Sequence, residues 1–236
     1  MDPISRREVK YALSARALPT LRRELAARLG SDPHNDVLEG RGYWIRSIYF
    51  DSPRLQLLDE KLAGVGRRFK LRLRSYPPLE AASPWILEIK HREGPWVRKE
   101  RCSLSLAEVQ LLLRGQHVPF LEALEGAEVA RRFVAQRARL RAVVPHQIDY
   151  RRQAFVHPNP QVYLRATIDE GLRLLRRADP LAPPGAGTPF APRSAILEIK
   201  TSGPPPSWLG QLVDRYRLDP RSISKYVHGV SSLASL

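Results

Sequence analysis

The sequence predicts an α+β fold: a closed antiparallel β-barrel of about eight strands forming a charged tunnel, with covering helices. Three observations predict it. Segments that alternate apolar and ionic residues recur along the chain, their ionic positions hold carboxylates and cations two residues apart, and stretches with apolar residues at helical spacing fall between them. A chain of 236 residues accommodates this as a single domain, residues 1–236.

Strand alternation with β-branched or aromatic content marks residues 6–13, 43–51, 66–76, 84–92, 95–104, 147–157, 161–170 and 194–200. His91-Arg92-Glu93-Gly94-Pro95 is a tight hairpin signal, so the fourth and fifth strands are expected to be antiparallel neighbours. Leu18, Leu21, Leu25 and Leu29 recur at helical spacing before Gly30, which reads as a helix stop. Ser105 and Glu108 make a capping box for a helix through Leu113, with Gly115 beyond it. A longer helix is expected over 121–141, carrying Leu121, Leu124, Val129, Phe133, Val134 and Leu140 and ending before Pro145. Another begins at Ser207 and presents Leu209, Leu212, Val213 and Tyr216, whereas Arg177 to Arg193, rich in Pro, Gly and Ala, reads as a long loop.

The ionic faces carry the chemistry. In GRRFKLRLRSY, Arg68, Lys70, Arg72 and Arg74 share one strand face, while Phe69, Leu71 and Leu73 occupy the other. Glu8 and Lys10 form an i, i+2 pair, as do Glu88 and Lys90 in the first LEIK and Glu198 and Lys200 in the second. Tyr150 with Arg152, and Arg165 with Asp169, align the same way. One such strand would read as a solvated basic surface; strand after strand with one ionic face points to a lining. Like charges in a poorly solvated lining are costly unless an anion neutralises them. A triphosphate or polyphosphate chain is narrow and densely negative, and arginine forks match its oxygens, whereas duplex nucleic acid does not fit inside a barrel this small. Carboxylates among those cations are explained by a divalent metal bridging phosphate oxygens.

Composition agrees. Lys plus Arg outnumber Asp plus Glu by 39 to 24, for a net charge of +15 and a pI near 10.6, which favours an anionic partner. The single cysteine, Cys102, excludes an intramolecular disulfide and reads as a packed strand residue. The N-terminus has no signal-peptide core and no stretch approaches the roughly 20 apolar residues of a membrane span, so a cytoplasmic protein is expected, with association through a membrane partner left open. His91 and His228 lack metal-ligand spacing, Ser75 and Ser103 lack a nucleophile's context, and Trp44, Trp85, Trp96 and Trp208 read as core or barrel cover. Arg131, Arg132, Arg137, Arg139 and Arg141 read as a solvated helix face.

REVKY at 7–11, SIYFDS at 47–52, FKLRLRSY at 69–76, LEIKHR at 87–92, DYRRQAF at 149–155, AILEIK at 195–200 and SISKYVHG at 222–229 together resemble, in the same order, the motifs of the VTC (vacuolar transporter chaperone) polyphosphate polymerase domain, within the triphosphate tunnel metalloenzyme (CYTH-like) superfamily. The resemblance implies a tunnel that binds ATP with Mn²⁺ or Mg²⁺ and moves the γ-phosphate onto a growing inorganic polyphosphate chain. By position, Lys10, Arg72, Arg74, Lys90, Arg152 and Lys225 would hold phosphates, Tyr150 and Ser224 would add hydrogen bonds, and Glu198 would be the main metal ligand. The residue pattern adds Glu8 as a second metal candidate and Arg68, Lys70, Glu88, Arg165 and Lys200 as substrate contacts. The CYTH branch opens with Glu-x-Glu-x-Lys; here Arg6 stands at the first glutamate, which favours the VTC-like branch. The expected function is therefore an ATP-dependent polyphosphate polymerase, with no nucleic-acid partner. A triphosphatase or cyclase of the same architecture, and a non-catalytic polyphosphate or nucleic-acid binding module, are the alternatives.

Overall fold

A computed structural model describes residues 6–35, 42–77, 83–94, 96–115, 127–191 and 193–232. In chain order the elements are β1 (Arg6–Ser14), a 3-10 turn (Ala15–Ala17), α1 (Leu18–Arg28), β2 (Gly30–Ser31), β3 (Tyr43–Asp51), α2 (Gln56–Leu62), β4 (Arg67–Ser75), β5 (Trp85–Glu93), β6 (Trp96–Leu104), α3 (Leu106–Leu113), α4 (Ala127–Arg139), β7 (Val143–Val156), β8 (Leu164–Leu175), β9 (Thr188–Pro189), β10 (Ser194–Ser202), α5 (Ser207–Arg215) and α6 (Lys225–Ser231). All eight predicted strands are present. The fold is α+β, and every described strand ladder is antiparallel.

The strand order is β1-β10-β8-β7-β3-β4-β5-β6, with β2 beside β7 and β9 beside β8. The predicted closure is not made by strand pairing: among the described residues the order ends at β1 and β6, and hydrogen bonds do not join them into a ring. The chain forms two compact units. The first comprises residues 1–43, 150–172 and 191–224; the second comprises 44–149, 173–190 and 225–236.

In the first unit, β1, β10 and β8 run side by side, and their apolar face packs on two helices. Tyr11, Leu13, Leu197, Ile199, Ala166 and Ile168 meet Leu18, Leu21 and Leu25 of α1 and Leu209 and Leu212 of α5. Alternation sends Val9, Tyr11 and Leu13 to this core and Glu8 and Lys10 to the opposite face. Gly30 does not stop α1 in a left-handed turn. The helix ends at Leu29 in an extended conformation, and Gly30 starts β2, paired with Val156.

In the second unit, Ile48, Phe50, Leu71, Leu73, Leu87, Ile89, Cys102 and Leu104 pack against α3 and α4 through Val109, Leu112, Ala130 and Phe133. The capping box of α3 forms as predicted, with Ser105 Oγ accepting from the Glu108 amide and Glu108 accepting from the Ser105 amide. The predicted 121–141 helix is α4 over Ala127–Arg139; residues 121–126 lie outside the described residues. Two short helices, α2 and α6, were not legible as periodic stretches. Asp51 caps the first, accepting from the Leu57 and Leu58 amides at 2.8 and 3.0 Å.

Residues 180–185, in the first half of the predicted 177–193 loop, are held by a buried ion pair within the second unit. Arg46 binds Asp149 at 2.8 Å and donates to the carbonyls of Pro180, Ala182 and Pro183, while Gly185 N–H donates to Asp149. Five donors leave the Arg46 guanidinium satisfied despite its burial. Trp85 is a core residue as predicted, whereas Trp96, paired with Glu93 at the end of the β5–β6 ladder, is 66% exposed. His91 is held by Glu100 at 2.8 Å. Cys102 is buried, and burial pushes its thiol up to about 11. No helix among the described residues is long and apolar enough to cross a membrane.

Candidate functional site

The predicted residues fall into two clusters, one in each unit. In the first, the β1–β10 ladder sets Lys10 opposite Glu198 and Glu8 opposite Lys200, so the two i, i+2 pairs interlock. Lys10 Nζ lies 2.9 Å from Glu8 and 3.5 Å from Glu198; Lys200 Nζ lies 2.7 Å from Glu198 and 3.8 Å from Glu8. Each carboxylate is thus shared between the same two ammonium groups. Burial works against the Lys10 ammonium, but the carboxylates of Glu198, Glu8 and Asp169 outweigh it and hold the group above its ordinary value.

The β10–β8 ladder extends these rows, placing Thr167 beside Glu198 and Arg165 beside Lys200. Thr167 Oγ1 is buried and has no hydrogen-bond partner among the described residues. Arg152, on β7, forms a two-pronged pair with Asp169 at 2.6 and 2.7 Å, and its guanidinium lies 5.7 Å from the centre of the buried Tyr150 ring. Burial opposes that guanidinium's charge, but Asp169 first, and then Tyr150 and Glu198, more than offset it and keep its pKa well above the ordinary value. Arg165 is held by Asp32 at 2.9 Å and by the Tyr43 hydroxyl at 3.3 Å. Ser224 is half-buried and immediately precedes α6.

The second cluster is the ionic face of β3, β4, β5 and β6. Register builds it in rows across the strands: Tyr49, Arg72, Glu88 and Arg101 form one row, and Lys70, Lys90 and Lys99 the next. Arg68 lies opposite Arg92, and Arg74 opposite Ser47. Glu88 is buried between two guanidiniums, bonded to Arg72 and, at 2.9 Å, to Arg101. Burial alone would raise its carboxyl; Arg72 and Arg101, with Arg74 and Lys99 behind them, overcome it and hold the group at about 2. Ser47 Oγ and Arg74 Nε are both buried without a hydrogen-bond partner among the described residues. Lys225 opens α6, half-buried, and is one of the cations acting on Tyr49.

Sequence reasoning had not singled out Asp32, Ser47, Tyr49, Thr167, Lys99 or Arg101. Alternation hides the last two. In WVRKERCSL both faces of β6 carry charge near the tip, so only the pairing of Lys99 with Lys90 and of Arg101 with Glu88 assigns them to the ionic face. Arg98 and Glu100 of the other face belong instead to a network with Arg132 of α4.

No group of three or more His, Cys, Asp or Glu side chains with metal-binding spacing occurs among the described residues. The donor set still fits a hard divalent ion. Mg²⁺ and ions of its kind are commonly held by one or two carboxylates together with phosphate and water oxygens. Glu198 and Glu8 supply oxygens within reach of the same two ammonium groups, and the Thr167 hydroxyl is set beside Glu198 in the ladder.

Comparison with known proteins gives the fold first. The fold matches a Bacillus halodurans protein assigned as an adenylate cyclase, at a TM-score of 0.53 and 15% identity over 92% of each chain. It also matches a Hippeastrum protein assigned as an adenylyl cyclase and described with a dominant triphosphatase activity, at a TM-score of 0.54 and 17% identity over 95% of each chain. These likenesses are of fold alone. The chain itself belongs to the VTC domain family, whose pattern it matches over residues 5–234. Among curated proteins none matches the sequence.

Proposed function

We propose that residues 1–236 act as one VTC-type domain whose strands close into a charged tunnel, and that the protein is an ATP-dependent polyphosphate polymerase. The observation that carries this reading is the row of Lys70, Lys90 and Lys99 beside Arg72, Arg74 and Arg101, a face on which Glu88 is the only carboxylate in the described β4–β5 and β5–β6 ladders. Three ammonium-bearing residues in register repel one another, and a linear phosphate chain is the ligand whose charge repeats closely enough to neutralise a row of this kind. Membership of the VTC domain family supports the same reading.

The residues divide the work. Arg72, Arg74, Lys90 and Lys225 bind and orient phosphate oxygens, joined by Arg68 and Lys70; Lys10, Arg152 and Lys200 do the same in the first unit, where Tyr150, Arg165 and Ser224 lie. Glu198, with Glu8, would hold Mn²⁺ or Mg²⁺, which when bound supplies Lewis-acid neutralisation of phosphate charge. The attacking oxygen of a polyphosphate end is already anionic, so transfer rests on alignment and charge stabilisation rather than on a general base. The guanidiniums and ammoniums stabilise negative charge moving onto the departing ADP. Asp169 keeps Arg152 charged and fixed, and Arg101 keeps Glu88 from competing for Arg72 alone.

A second reading, triphosphate hydrolysis with water in place of the polyphosphate oxygen, is favoured by the fold shared with the Hippeastrum protein. The deciding experiment is incubation of the purified chain with ATP and Mn²⁺, resolving products by gel for chain length and assaying phosphate and cyclic AMP. Long chains with ADP support the polymerase. Free phosphate without chains moves the activity to a triphosphatase, cyclic AMP to a cyclase, and binding without turnover to a polyphosphate-binding module.

A further inference from the structure

Two tyrosines stack beside the cationic face, and their hydroxyls have opposite surroundings. The Tyr49 and Tyr226 rings are stacked, 5.0 Å between centroids and 22° between planes. Tyr226 is fixed: its hydroxyl donates to Asp51 at 2.7 Å, and burial together with that carboxylate drives its pKa far upward. Tyr49 is buried on the same strand face as Ser47, opposite Arg72, whose guanidinium lies 5.9 Å from the Tyr49 ring centre. Its hydroxyl makes no hydrogen bond among the described residues. Ser47 Oγ and Arg74 Nε, of the residues paired two positions further along the ladder, are buried and without partners among the described residues too.

The groups around Tyr49 are nearly all cationic. From β4 come Lys70, Arg72 and Arg74, and from α6 come Lys225 and the locked Tyr226, against which His146 packs at 6.2 Å; on its own strand the nearest carboxylate, Asp51, is engaged by Tyr226 and the α2 amides. A neutral phenol among cations, beside the unfilled donors Ser47 Oγ and Arg74 Nε, is placed to donate to an anion's oxygen. Resting on the reading of this face as a phosphate site, we propose that the Tyr49 hydroxyl is a direct hydrogen-bonding ligand of the phosphate chain and the group through which alkaline pH weakens binding there.

The electrostatics agree with the geometry. Burial alone would push the Tyr49 phenol up; Arg72 most strongly, with Lys70, Arg74 and Lys225, pulls it down to about 8. As a phenol it donates to phosphate. As a phenolate it occupies the cations itself and repels the ligand, so bound phosphate favours the protonated form and its affinity falls as pH rises through that range.

The test uses inorganic tripolyphosphate, without metal, and the full chain. Calorimetric affinity is measured at pH 6.5 and 9.5 for wild type and Tyr49→Phe, which keeps the stacked ring. Phenolate absorbance near 295 nm is titrated with and without ligand. At pH 6.5 the variant is expected to bind about tenfold more weakly, and on going to pH 9.5 wild type should lose several-fold more affinity than the variant. In wild type a phenolate transition near pH 8 should move upward when tripolyphosphate is bound. Equal affinities with equal pH dependence, or a transition unmoved by saturating ligand, overturns the assignment of Tyr49 while leaving the phosphate site standing. No binding of tripolyphosphate to wild type at either pH overturns the phosphate-site reading itself.

Discussion

Lys70 lies directly opposite Lys90 in the β4–β5 ladder, and Lys90 in turn lies opposite Lys99. Like charges at directly opposed positions destabilise a sheet by about 0.2–1 kcal/mol per pair. Lys90→Gln relieves both contacts at once. The variant is expected to melt roughly 2 °C higher than wild type in the absence of anion. Added tripolyphosphate should stabilise wild type more than the variant and reverse the order. Thermal melts with and without the ligand read both effects.

Glu88 behaves as an internal counter-ion between Arg72 and Arg101. Its folded-state carboxyl is depressed, from about 4.5 to about 2. The stability it contributes is therefore fully present above about pH 4.5 and is lost as pH falls towards 2. Glu88→Gln should lower stability at neutral pH by about 2 kcal/mol, because two guanidiniums lose their partner and one of them is half-exposed. It should also flatten acid unfolding between those pH values, as followed by circular dichroism. Metal-dependent turnover per folded molecule should persist, since the metal carboxylates are placed elsewhere.

Glu198 shares both Lys10 and Lys200 with Glu8. Glu198→Gln is expected to abolish Mn²⁺-dependent turnover while leaving tripolyphosphate affinity within about threefold, because it removes metal oxygens without removing a cation. Retained turnover would place the metal elsewhere. A metal titration beside a ligand titration separates the two outcomes.

Asp169 and Arg152 form the most buried ion pair of the first unit. Asp169→Asn leaves a buried guanidinium unpaired and should cost about 3–5 kcal/mol. The double change Arg152→Met with Asp169→Leu should recover much of that loss and still abolish the Arg152 contribution to phosphate binding. Urea unfolding of the double variant beside the singles Arg152→Met and Asp169→Leu forms the cycle that tests it.

Strand positions and faces were legible in the sequence because a strand's side-chain period is exact: once Phe69, Leu71 and Leu73 are assigned to the core, Arg68, Lys70, Arg72 and Arg74 have only the other face. The same rule failed on β6, where Arg98 and Glu100 join the Arg132 network and charge stands on both faces. Short helices failed for a related reason. The seven residues of α2 hold too few turns to show a period, and the helix is set by Asp51 accepting its first amides.

The chain by itself determined which residues are ionic, how they alternate and which family's ordered motifs they spell, since these depend on local spacing alone. Only the tertiary structure decided which charges meet. Register set Lys70 against Lys90 and Lys99, drew Glu88 between Arg72 and Arg101, and interlocked Glu8, Lys10, Glu198 and Lys200. It also brought Asp32 to Arg165, and Tyr226 from the far end of the chain onto Tyr49. The physical reason is that charge interactions depend on distance in space, and partners more than a hundred residues apart leave no periodic trace of their meeting.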